Sequence, residues 1–230
     1  MKIGILGTGM VGQTLAAKLH SLGHQVVIGT RDVAATRAND KPNNYGGPAF
    51  SVWHAQHPDI GLASFAEAAS QGELLLNCTQ GAASLAALEL AGRANLAGKI
   101  LLDLANPLDF SQGMPPSLFV CNTDSLGETI QRTYPELKVV KALNTTNCQV
   151  MVDPARVPGR HSIFVSGNDA AAKVTVKGLL QSFGWQDVID LGDITTARGS
   201  EQLLPIWIRL WGALGSADFN FAVVREGAAA

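Results

Sequence analysis

Apolar positions fall along the chain in two alternating patterns. Near-continuous runs, "KIGIL" (2–6), "QVVIG" (25–29), "ELLLNCT" (73–79), "KILLDLANP" (99–107) and "KVVKALN" (138–144), read as strands buried on both faces. Alanine- and leucine-rich stretches with helical spacing separate them. One covers 10–23 and ends at Gly23; another covers 64–72, with Ser64 as its cap and Glu67 completing a capping box. "SLAALELAG" and "DSLGETIQRTYP" are also helical, the latter capped by Asp124 or Ser125. A second β–α series follows: strand 161–167, helix 169–184, strand 185–192, and an amphipathic helix over 201–215, interrupted or kinked near Pro205. This alternation predicts an α/β fold, a Rossmann-type doubly wound parallel sheet with a small C-terminal α/β extension. The predicted boundary separates 1–144 from a small domain at 145–230. Residues 32–63 are rich in Pro, Gly and Asn; a strand around Phe50–Trp53 is the one element suggested there, and 35–63 reads as an insertion.

Composition narrows the function. Of 230 residues, 47% are hydrophobic and 16% charged, enough to bury a core and too apolar for disorder. Net charge is −2 with no basic block, which argues against nucleic acid or an anionic membrane as partner. Three widely spaced cysteines, Cys78, Cys121 and Cys148, suit neither a disulfide framework nor a zinc site. The five histidines show no metal-ligand spacing, and His54-x-x-His57 lacks a third ligand, so no metal is expected. The first strand begins at residue 2, and no apolar run is long enough to span a bilayer. The expectation is a soluble cytoplasmic protein.

The chemistry starts at "GTGMVG", Gly7-x-Gly9-x-x-Gly12, which follows an apolar strand and opens a helix inside a βαβ unit. Gly7 permits the tight turn, Gly9 lets a pyrophosphate approach the backbone, and Gly12 lets helix and strand pack closely. The phosphates then meet free N–H groups at the positive helix end. An NAD site normally ends its second strand with a carboxylate for the ribose hydroxyls. Here that strand runs into Thr30 and Arg31: a hydroxyl and a planar guanidinium suited to phosphate oxygens, with Arg37 a turn or two further on. The exchange of acid for base predicts NADP(H); Asp32, beside the proposed anion site, is expected to cap the next helix.

"NCTQG", "LANP" and "ALNTT" lie just past three strand ends, where the nicotinamide belongs. Thr79, Gln80, Asn106 and Asn144 are therefore candidates to bind its carboxamide and ribose, although turns favour these residue types in any case. Lys141 either points inward at its strand end or serves as a salt-bridge partner. There is no Tyr-x-x-x-Lys pair to protonate a carbonyl, Tyr45 and Tyr134 being the only tyrosines, and no catalytic acid is assigned. Trp207 and Trp211 share one helix face. Core or dimer packing is the plainer use for them, and a flat aromatic floor for a planar ring is the sharper one.

Four segments together, "GTGMVGQTLAAKLHSLGHQVVIGTRD", "VVKALNTTNCQVMVDP", "FVSGNDAAAKVTVKGLLQSFGW" and "DLGDITTARGSEQLLPIW", resemble the coenzyme F420-dependent NADP oxidoreductase family. They are also similar to the NADPH-oxidising domain of the STEAP metalloreductases, and "ALN" is closer to that version. The resemblance implies a Rossmann domain and a small C-terminal domain, with a deazaflavin (coenzyme F420) or flavin (FMN, FAD) beside NADP in the cleft between them. It puts the pyrophosphate on Thr8, Gly9, Met10, Val11 and Gly12, the 2′-phosphate on Thr30 and Arg31, and the ring near Asn144, Thr145 and Arg198. Hydride transfer between stacked rings needs positioning rather than a buried acid. The expected function is NADP-dependent hydride transfer to or from such a ring, in a homodimer. The rival readings are a dehydrogenase or imine reductase of a small carbonyl substrate, and a redox sensor that binds NADP without turnover.

Overall fold

The computed structural model describes residues 1–42 and 47–226. In chain order it contains β1 (Lys2–Leu6), α1 (Met10–Ser21), β2 (Gln25–Thr30), α2 (Val33–Arg37), α3 (Phe50–Ala55), β3 (Gly61–Ser64), α4 (Phe65–Gln71), β4 (Leu74–Asn77), α5 (Ser84–Ala91) and α6 (Arg93–Leu96). Then come β5 (Ile100–Asp103), β6 (Leu108–Asp109), β7 (Ser117–Leu118), α7 (Leu126–Thr133), β8 (Lys138–Ala142), α8 (Cys148–Val152), β9 (Ser162–Gly167), α9 (Ala170–Phe183), β10 (Asp187–Gly192), α10 (Ala197–Gln202) and α11 (Leu204–Leu214).

Eight strands form one sheet in the order β10-β9-β8-β5-β4-β1-β2-β3. Its pairings are parallel except β8 with β9, where Val140 faces Gly167 and Ala142 faces Val165. The chain after residue 144 thus continues the same sheet by two strands. Adjacent strand residues feed opposite cores: Leu74 and Leu76 join Ile3, Ile5 and Val140 on one face, Leu75 joins Leu101 and Val139 on the other. Both faces are covered, which is why the strand runs lack polar alternation. The direction of winding reverses between β1 and β4, so a crevice opens beyond their carboxyl ends.

Local signals placed several caps. Ser64 accepts from the Glu67 N–H while the Glu67 carboxylate accepts from Ser64 N, a full capping box on α4. Ser125, rather than Asp124, caps α7, and Asp32 caps α2 through the Ala35 N–H.

The structure corrects one expectation and resolves another. Phe50–Trp53 is not a strand but lies within helix α3, because its aromatic rings repeat at helical spacing: Phe50 stacks on His54 with centroids 5.6 Å apart, and Trp53 on His57 at 4.4 Å. The strand of this region is β3, four residues of which none is fully buried, too short to stand out in the pattern. Residues 201–215 form two helices, with Leu203 between α10 and α11 and Pro205 in the first turn of α11, where its missing N–H costs nothing. Tyr45 lies outside the described residues.

Candidate active site

The glycine loop meets the steric demands of its motif. Gly7 has φ +125°, and a Cβ there would come within 2.7 Å of the Cys78 carbonyl oxygen. A Cβ on Gly12 would lie 2.2 Å from the Gly7 carbonyl oxygen. At Gly9, by contrast, no described protein atom lies within 4 Å of the Cβ position. Internal packing does not require glycine there; a pyrophosphate lying against the backbone would, so the loop fits the group its motif implies. Gly9 opens α1 without a side-chain cap or an acidic residue in the first turn, leaving its positive end for an anion. Thr8 is held from behind, its carbonyl accepting from Gln13 Nε2 at 2.8 Å.

At the end of β2, Thr30 is buried and its hydroxyl meets that of Thr36 at 2.7 Å. Arg31 and Arg37 are both exposed, and their side chains form no ion pair or hydrogen bond among the described residues. Two unengaged cations and a fixed hydroxyl at the end of β2 suit a phosphate group. Asp32, engaged at the α2 cap, is not paired with either arginine.

A cleft of about 1130 Å³ opens beyond the carboxyl ends of β1, β4, β5 and β8. Met10 and Val11 form one margin, and Thr79, Gln80, Asn106 and Asn144 all line it. These four, drawn from three separate loops, are brought together by the sheet. Asn106 and Asn144 bond reciprocally: Asn106 Nδ2 donates to the Asn144 carbonyl and Asn144 Nδ2 to Asn106 Oδ1, both at 2.9 Å. Asn144 Nδ2 also donates to the Ser200 carbonyl at 3.1 Å. Thr79 is oriented by Asn77, whose Oδ1 accepts its hydroxyl at 2.6 Å. Leu143, fully buried, takes φ +64°, a conformation costing about 1–3 kcal/mol in a bulky residue and held only where the surroundings over-determine it.

The outer walls are apolar and aromatic. Trp207 and Trp211 of α11 both line the cleft, ring centroids 6.1 Å apart, and Phe219 stacks on Trp207. The β6–β7 hairpin adds Phe110, Met114 and Phe119 to the lining, all exposed. The tryptophan pair therefore faces the cleft rather than the core. Its Trp207 Nε1 and the Thr146 hydroxyl have no partner among the described residues.

Two site expectations turn out differently. Arg198 does not line the cleft: its guanidinium pairs with buried Glu128 at 2.5 and 2.8 Å, which consumes its charge. Thr145 is 1% exposed with its hydroxyl unpartnered, and the neighbour that reaches the cleft is Thr146. Sequence reasoning also passed over the hairpin aromatics, whose strands are two residues each.

Beneath the cleft lies a buried ionic triad. Lys141 Nζ is 2.5 Å from Asp103 and 2.8 Å from Glu201, and donates to the Ala105 carbonyl at 2.7 Å. Burial alone would lower the Lys141 ammonium, but the Asp103 and Glu201 carboxylates more than offset it and hold it above the ordinary lysine range. A cation so raised contributes stability that is complete below its unfolded value, about 10.4, and lost as pH climbs through the higher folded one. The wild-type urea midpoint is expected to fall in that alkaline window more than that of Lys141→Met, measured by circular dichroism from pH 8 to 12. Among the described residues no cluster of three His, Cys, Asp or Glu could hold a metal, and no helix is long and apolar enough to cross a membrane. His54 and His57 instead meet the carbonyls of Ile60 and Trp53.

Residues 2–107 match the family model described as NADP oxidoreductase, coenzyme F420-dependent. A solved structure from Arthrobacter sp. FB24, provisionally assigned as an F420-dependent NADP reductase, is 64% identical, covering 98% of this chain and 100% of that one, with a TM-score of 0.94. The F420-dependent NADP reductase of Methanocaldococcus jannaschii is 29% identical over 91% of this chain and 92% of its own length. Metalloreductase STEAP3 of Rattus norvegicus is 28% identical over 90% of this chain, which spans 38% of that relative. Glycine loop, strand order and cleft agree with an identity that runs the full length of a solved relative: the chain belongs to the coenzyme F420-dependent NADP oxidoreductase family, a family of NADP-dependent oxidoreductases.

Proposed function

We propose that the protein transfers hydride between NADP(H) and a planar ring partner, a flavin or a deazaflavin of the coenzyme F420 type. In this reading residues 1–144 bind the dinucleotide, and residues 145–230 close the cleft over the ring. Gly7 to Gly12 hold the pyrophosphate, Thr30, Arg31 and Arg37 the 2′-phosphate, and Thr79, Gln80, Asn106 and Asn144 the nicotinamide end. NADPH, when bound, supplies the hydride. The chain's own part is to hold two rings face to face and keep water out, which contributes through positioning.

The observation that carries this reading is the cleft's lining. Trp207 and Trp211, an aromatic pair, line one cleft together with the apolar hairpin residues, and its volume of about 1130 Å³ has room for a fused ring. The one carboxylate among the described residues that line it, Asp109, accepts from the Ser111 N–H at 2.8 Å, which holds it below the usual carboxylate range and makes it a poor proton donor. Burial pushes the Cys78 and Cys148 thiols up. A carbonyl or imine substrate would want a general acid matched to neutral pH, which these groups do not offer. Titration with NADPH, followed by rapid mixing with coenzyme F420, FMN and FAD, tests the proposal. Oxidation by at least one ring acceptor is expected; binding without oxidation by any of them would favour the sensor reading.

The same reading places the protein in the cytoplasm as a homodimer. Helix α11 is apolar on nearly every side yet buries only Leu204 and Ile208, leaving Ile206 and Leu214 exposed. A second copy packing on that face would cover them. Sedimentation of the wild type should report a dimer, and Ile206→Asp with Leu214→Asp a monomer.

A further inference from the structure

Lys141 touches none of the proposed cofactor contacts, yet three of those at the nicotinamide end, Thr79, Asn106 and Asn144, lead back to it. Through Asp103, whose Oδ1 accepts from Asn77 Nδ2 at 2.8 Å, it reaches Asn77 and hence Thr79 on the loop after β4. Directly, it bonds the Ala105 carbonyl beside Asn106 on the loop after β5. Through Glu201 it fixes the end of α10, where the Ser200 carbonyl accepts from Asn144 on the loop after β8. Glu201 also accepts from the Leu126 and Gly127 N–H groups at the start of α7, so its position is set from two sides.

We propose that Lys141 is a positioning residue for hydride transfer: one buried ammonium locks the three loops that place Thr79, Asn106 and Asn144 around the nicotinamide. This rests on the cleft being used as proposed above. A buried ionic group is a poor way to gain stability, since apolar residues of the same volume often serve as well or better. Its value here is geometric. Three loops from three strands share one anchor, and the strained Leu143 sits immediately before Asn144, where fixed surroundings are needed to hold it. Loops left to wander by an ångström lose much of the benefit of orientation.

The test compares wild type with the neutral variant Asp103→Asn/Lys141→Met/Glu201→Gln, which removes the charges together and leaves none uncompensated. It is expected to unfold cooperatively and to bind NADPH, followed by fluorescence, within about twofold of wild type, because the glycine loop and Arg31 lie away from the triad. Hydrogen exchange at amides 104–106 and 143–147 should quicken about tenfold. Single-turnover transfer to the ring acceptor should slow about 100-fold with little change in KM. Glu201→Gln alone keeps the Lys141–Asp103 pair and should loosen 143–147 while sparing 104–106; it serves also if the neutral variant does not fold. Wild-type exchange at both loops in either folded variant would overturn the proposal, as would wild-type transfer rates in the neutral one. Should the wild type itself reduce no ring acceptor, the proposed use of the cleft fails, while the exchange rates still decide whether Lys141 locks the loops.

Discussion

Replacing Gly12 with alanine should nearly abolish dinucleotide binding and lower the thermal midpoint as well. The new Cβ would stand 2.2 Å from the Gly7 carbonyl oxygen and 3.2 Å from its carbon, both backbone atoms that cannot rotate aside. Gly7 is itself tied to β2, its N–H donating to the Gly29 carbonyl at 3.2 Å. The turn and α1 must therefore part, and the helix end retreats from the pyrophosphate. Overpacking of this kind costs about 1–3 kcal/mol or more in stability, and loss of the phosphate site is expected to weaken NADPH and NADH alike by about 100-fold or more. Gly9→Ala is the informative contrast. Its Cβ meets no described protein atom within 4 Å, so the melting temperature should hold while affinity for both nucleotides falls. Unchanged NADPH affinity in Gly9→Ala, read by fluorescence titration, would mean that the pyrophosphate lies elsewhere.

Arg31→Ala is expected to separate the two nucleotides. Arg31 stands exposed at the end of β2, with no ion pair or hydrogen bond among the described residues to be broken by the change, so protein stability should stay within about 0.5 kcal/mol. Its guanidinium is available for a 2′-phosphate, and a hydrogen bond to a charged group is worth about 1.5–3 kcal/mol. NADPH binding should weaken about 10- to 150-fold, and NADH binding should barely change. Arg37→Ala should show the same preference, more weakly, because a second cation a turn or two away adds attraction rather than a fixed contact. Raising ionic strength should erode the NADPH advantage of the wild type. Equal weakening of both nucleotides in Arg31→Ala would mean that Arg31 does not read the phosphate.

The features legible in the sequence are those set by neighbours along the chain. The glycine loop, the Ser64–Glu67 box and the Asp32 cap each depend on residues within a turn of one another, and each stands where expected. The parallel sheet was legible because burial on both faces writes continuous apolar runs. Residues 50–64 were not, since a two-turn aromatic helix and a four-residue edge strand leave too few positions to establish a period. The gathering of Thr79, Gln80, Asn106 and Asn144 followed from a topological rule. The triad did not: a salt bridge was one of two uses open to Lys141, but its partners Asp103 and Glu201 come from a neighbouring strand and a distant helix, a pairing that only the folded chain defines. The hairpin's share of the cleft wall was hidden for a related reason, because strands of two residues carry no pattern.

The central claim is that hydride passes directly from nicotinamide to a ring stacked in the cleft. Single-turnover mixing of the NADPH-loaded protein with the ring acceptor it reduces, using NADPH carrying protium or deuterium at the transferred C4 position, tests it most directly. The expected result is that NADPH loss and acceptor reduction proceed together at one rate, slower with deuterium. Acceptor reduction at a rate indifferent to the label, or NADPH bound beside all three ring acceptors with none reduced, would contradict it.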